Sequence, residues 1–111
     1  MPRIWSALLY SLDGFAAAFR HDAFRQEALL ALVLIPLAIY MPATGAGKAL
    51  MVASVLLVLI VELLNTGIES VTDRISLEDH VLAKRAKDMG SAAVMLSLIN
   101  VPLVWLLVLL G

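Results

Sequence analysis

Apolar residues dominate three stretches of the chain, and the polar residues gather between them. Within residues 28–61 one residue, Lys48, is charged, and within residues 89–111 none is; every other charge lies in 1–27 or 62–88. A helix rises ~1.5 Å per residue and a bilayer core is ~30 Å thick, so about 20 apolar residues make a span. The pattern predicts three membrane-spanning helices, over residues 23–43, 47–72 and 87–110. A break at Pro42-Ala43-Thr44-Gly45-Ala46-Gly47 separates the first two. A polar loop over residues 73–86 separates the second from the third.

The segment 1–22 has a different pattern. Arg3, Ser6, Tyr10, Asp13 and Arg20 recur at three- to four-residue spacing, and Ile4, Trp5, Leu8, Leu9, Leu12, Phe15, Ala16 and Phe19 fill the other side. This spacing predicts an amphipathic helix lying in the membrane interface. Asp13 interrupts the apolar run, so the segment is not expected to be a cleaved signal.

Composition agrees with a small all-α integral membrane protein of one domain. Of 111 residues, 62% are hydrophobic and 15% charged, against about 45–50% and about 25% in soluble domains. Mean hydropathy is +0.98. This excludes a soluble enzyme and a disordered chain, and a net charge of −1 without a basic patch excludes a nucleic-acid binder. With no cysteine there is no disulfide or thiolate metal site. Seven of the eight Lys and Arg residues lie in the N-terminal segment or in the second loop. The positive-inside bias places those parts in the cytoplasm and the 42–48 loop and the C-terminus outside.

The second span carries Glu62, Asn65, Thr66 and Glu69, with Asp73 beyond it. At 100° per residue, Glu62, Glu69 and Asp73 share one face and Asn65 lies a ridge away. Carboxylates facing lipid are costly, so this face must look into protein or water. Helix–helix hydrogen bonding with a solvated helix end is one account. Chemistry between a lipid and a water-borne partner is the other, because Glu62 falls at the headgroup boundary and Glu69 about 10 Å nearer the cytosol. Lys87 and Asp88, expected to open the third helix, could hold phosphate at its N-terminus, or could snorkel and cap. Gly45-Ala46-Gly47-Lys48-Ala49 is not a phosphate loop: Pro42 and Ala49 stand where Gly and Ser/Thr are needed. His21 and His80 lack zinc-ligand spacing.

Ala23-Phe24-Arg25-Gln26-Glu27, Glu62-Leu63-Leu64-Asn65-Thr66-Gly67-Ile68-Glu69, Asp73-Arg74-Ile75 and Arg85-Ala86-Lys87-Asp88-Met89-Gly90-Ser91-Ala92-Ala93-Val94 resemble the small bacterial integral-membrane diacylglycerol kinases over nearly the whole chain. The resemblance implies a homotrimer in the inner membrane, with active sites shared between subunits at the cytoplasmic surface. It implies transfer of the MgATP γ-phosphoryl to diacylglycerol, with Mg²⁺ as the metal. By motif, Glu62 resembles the catalytic base, Asn65 its polar support and Glu69 a metal ligand. Lys87, Asp88, Glu78, Asp79 and His80 resemble nucleotide contacts. Arg3 and Tyr10 resemble surface-helix contacts to nucleotide and substrate, and Glu27 and Ser91 residues lining the lipid side. The family's second metal ligand is a glutamate; here Asp22 stands at that position, and the segment following it is one residue shorter. A polyprenol kinase of the same superfamily is the alternative acceptor reading, and a small proton-coupled transporter the alternative of another class.

Overall fold

The computed structural model describes residues 2–75 and 80–111. Among them the chain forms four helices and no strand: α1 Pro2–Ala18, α2 Asp22–Tyr40, α3 Gly45–Thr72 and α4 Val81–Leu110. The last three are each long and apolar enough to cross a membrane.

Several boundaries differ from the expected ones. α1 ends at Ala18 rather than at 22, and a turn closes it through Arg20 N–H to Ala17 O and His21 N–H to Ala18 O. The Phe19 ring then meets Phe24 edge-on, with centroids 5.0 Å apart, which fixes the corner into α2. α3 begins at Gly45, two residues early, because Thr44 caps it by accepting from Gly47 N–H at 3.0 Å. The largest difference is α4, which begins at Val81 and not at 87. Val-Leu-Ala-Lys-Arg-Ala contains good helix formers, and outside hydrocarbon its charges do not oppose the helix. The expected boundary marked where the apolar run begins, and the helix starts before it.

α3 is the central element, packed against both α2 and α4. Its buried face runs through Met51, Ser54, Val55, Val58, Glu62, Asn65 and Thr66. The neighbours meet it with mostly small residues at seven-residue spacing, Phe24, Ala31 and Ala38 on α2 and Ala83, Gly90 and Ser97 on α4. Small residues let helices approach without a hydrophobic drive between them. Near the loop joining α2 and α3, Trp105 Nε1 donates to Met51 O and Ser54 Oγ, each at 3.2 Å. A Cβ on Gly47 would stand 2.7 Å from Val108 Cγ1, so α4 closes tightly on α3 at this end. Leucines and isoleucines such as Leu32, Leu57, Ile60, Leu96 and Leu107 point outward, as lipid-facing side chains do.

Candidate active site

The polar residues of α3 come together in its last four turns. Twenty-eight residues give α3 a length of about 42 Å, some 12 Å more than a bilayer core. One bilayer-core thickness along α3 from Gly45 reaches Asn65, and Glu69 and Asp73 lie beyond it. Helical spacing then determines what can touch what. Thr66 lies four residues after Glu62 and donates a long hydrogen bond to Glu62 Oε1 at 3.5 Å; Asn65 lies four before Glu69 and its Nδ2 donates to Glu69 Oε1 at 3.2 Å.

Glu62 and Asn65 are 5% and 7% exposed within one chain. This part of the acidic face therefore looks into protein, one of the two settings its carboxylates require. The small residues of α2 and α4 bring both helices close enough to cover it. From α2, the Glu27 carboxyl and His21 lie near the Glu62 carboxyl. Two polar atoms here are buried without a partner, Glu27 Oε2 and Asn65 Oδ1.

On α4, Lys87 Nζ donates to Asp73 Oδ1 at 2.7 Å and Lys84 Nζ to Asp88 Oδ2 at 2.8 Å. Because α4 starts at Val81, Lys87 and Asp88 occupy its second turn, and neither stands at the helix N-terminus as expected. Lys87 can still meet an anion through its ammonium, but the free N–H groups at the helix end lie about a turn and a half away. His80 precedes the helix and its side chain makes no capping bond. Ser91 is exposed on α4.

Other expected site residues lie apart. Arg3 and Tyr10 are exposed on α1 and make no hydrogen bond or ion pair among the described residues. α1 touches α3 through its later turns, around a groove of about 440 Å³ between Ser11, Gly14 and Phe15 on one side and Thr66, Gly67 and Ser70 on the other. Asp22 opens α2 and is ion-paired with Arg25. Glu78 and Asp79 lie outside the described residues.

Among the described residues, no three His, Asp or Glu side chains assemble into a metal-holding group. Magnesium bound with a nucleotide needs only one or two protein carboxylates, the rest of its shell being phosphate and water. Glu69 suits that role: it is a hard oxygen donor, partly exposed and oriented by the Asn65 amide. Asp22 offers the same chemistry, with its carboxylate engaged by Arg25.

Thr66, His21 and Gly90 were not among the expected site residues. Thr66 was findable from its four-residue offset to Glu62. Finding the other two required the register between helices.

The chain is similar to known proteins over most of its length. A diacylglycerol kinase from Pseudomonas aeruginosa is 53% identical over 112 residues, covering all of this chain and 91% of that protein. One from Haemophilus influenzae is 50% identical, covering 86% of this chain and 82% of its own length. One from Escherichia coli K12 is 44% identical, covering 96% and 88%. The model of the prokaryotic diacylglycerol kinase family matches residues 9–109, and the chain belongs to that family.

Proposed function

We propose that the protein phosphorylates diacylglycerol to phosphatidic acid at the cytoplasmic face of a bacterial inner membrane, with ATP as donor and direct transfer between the two substrates. The observation that carries this reading is the placement of two acids on α3: Glu62 is enclosed between helices about 25 Å along α3 from Gly45, and Glu69 is seven residues, about 10 Å, further on and partly exposed. An acceptor hydroxyl in the lipid layer and a nucleotide in water can both reach such a site.

Glu62 serves as the general base. Its carboxylate takes the proton of the lipid's primary hydroxyl as that oxygen bonds to the γ-phosphorus and the bond to the β–γ bridging oxygen breaks, releasing ADP. Thr66 holds the carboxyl in place, with Glu27 beside it. Glu69, with Asp22 as a second donor, holds the magnesium that accompanies ATP. That ion neutralises phosphate charge when bound. Lys87 adds an ammonium, and Asp88, His80, Glu78, Asp79, Arg3 and Tyr10 contribute to nucleotide and substrate binding. Glu27 and Ser91 line the approach of the lipid. Positioning of two bound substrates supplies much of the acceleration.

We further propose that α1 lies on the cytoplasmic surface with the N-terminus inside and the C-terminus outside, and that the protein is a homotrimer. In support, Ser91, Ala92 and Ala93 are exposed on α4, a small-residue surface that another helix can approach closely. The number three rests on the family resemblance. The deciding assay supplies purified protein in bilayers with MgATP and either diacylglycerol or undecaprenol. Label is expected in phosphatidic acid. Label in undecaprenyl phosphate alone overturns the acceptor assignment, and label in neither overturns the kinase reading.

A further inference from the structure

At Gly90, α4 presents no side chain to α3, and the Asn65 carboxamide fills the space. A Cβ built on Gly90 overlaps Asn65 Oδ1, stands 3.3 Å from Asn65 Cγ and 3.7 Å from Ile68 Cδ1. All three nearest atoms are side-chain atoms, and two belong to one amide. The other end of that amide is committed, since Nδ2 donates to Glu69 Oε1. Only the amide nitrogen can donate to a carboxylate, so the oxygen must turn toward the glycine. There it is buried without a hydrogen-bond partner.

The backbone does not call for glycine here, since no glycine has positive φ among the described residues. Helix stability opposes it, as glycine inside a helix is less favourable than alanine. Close helix approach alone does not require it either. Ala83 and Ser97, one heptad away on the same buried face of α4, both carry a Cβ. What distinguishes position 90 is the amide opposite.

We infer that Gly90 is a positioning residue of the kinase site: its bare Cα seats the Asn65 carboxamide, and through that amide it sets the direction of the Glu69 carboxylate. The inference rests on the proposed reading of Glu69. A methyl group at position 90 displaces the end of a side chain, not backbone, so the helix pair survives while Asn65 swings and Glu69 loses its donor.

The test is a double-substitution cycle in the full-length protein, with Gly90→Ala, Asn65→Ala and both together, read by thermal unfolding and by kinetics under magnesium titration. Gly90→Ala alone is expected to lower kcat at least ten-fold or raise the half-maximal magnesium concentration several-fold, with KM for diacylglycerol within two-fold. In the Asn65→Ala background it is expected to lower neither rate nor melting temperature further. Equal losses in both backgrounds, or full activity at native magnesium demand for Gly90→Ala, overturn the inference. If Gly90→Ala fails to fold alone but folds with Asn65→Ala, the steric coupling stands; failure in both overturns it. Absence of lipid phosphorylation by the native protein defeats the kinase reading separately, because unfolding still decides whether the two positions are coupled.

Discussion

Lys87 Nζ donates to Asp73 Oδ1 across 2.7 Å, tying the end of α3 to the second turn of α4. An ammonium has three donors and Asp73 takes one, so the lysine is held at the end of α3 with donors left for phosphate. Lys87→Gln removes the charge and is expected to lower kcat/KM for MgATP about 10²-fold, the scale for losing one preorganised electrostatic contact. Asp73→Asn keeps an acceptor for Lys87 and is expected to change kcat/KM less than ten-fold. Steady-state kinetics on both variants check the assignment. Equal, severe losses would mean that the ion pair matters for its own sake.

Glu62 lies in the protein interior, out of bulk water, with Glu27 and Thr66 beside it. Glu62→Gln has nearly the same shape but cannot take the hydroxyl proton. It is expected to lower kcat by 10²–10⁴-fold, the usual contribution of a positioned general base, leaving KM for lipid and MgATP and the melting temperature near native values. Retained turnover would refute the base assignment.

The sequence made the helices legible because residues 28–61 and 89–111 carry one charge between them and because Glu62, Asn65 and Glu69 repeat at helical spacing. It did not make legible the contacts that depend on register between helices. Glu27 and Glu62 are 35 positions apart and Asn65 and Gly90 are 25 apart; no local period relates them. Small residues at 31, 38, 83, 90 and 97 determine how closely the helices pack, and that packing brings these pairs together. The start of α4 is hidden for a different reason: an apolar run and a helix need not begin together, and Val81 to Ala86 are helical ahead of the apolar run.

Trp105 belongs to the half of the bundle remote from the acids. Its Nε1–H donates to Met51 O and Ser54 Oγ, and Ser54 Oγ also donates to Met51 O at 2.6 Å. Trp105→Phe keeps an aromatic ring and removes the donor. It is expected to destabilise the protein by ~0.6–1.7 kcal/mol, the range for interhelical hydrogen bonds in membranes, with kinase activity unchanged below the melting transition. Unfolding in detergent with a parallel lipid-phosphorylation assay separates the two effects.

Asp22 is an aspartate where the resemblance implies a glutamate, and its surroundings define what that residue can do. It sits in the first turn of α2, is exposed and is paired with Arg25, so its carboxylate is anchored locally and is shorter by one methylene than glutamate. If Asp22 shares magnesium with Glu69, lengthening it brings the oxygens nearer the ion, and removing its charge takes away one ligand. Asp22→Glu is then expected to lower the magnesium concentration for half-maximal rate, and Asp22→Asn to raise it about ten-fold, since one charged contact is worth roughly 1.4 kcal/mol at that ratio. Arg25→Gln frees Asp22 from its partner and should act in the same direction as Asp22→Glu. A magnesium requirement unaffected by all three substitutions would confine Asp22 to its pairing with Arg25 at the start of α2 and leave Glu69 as the protein's metal ligand.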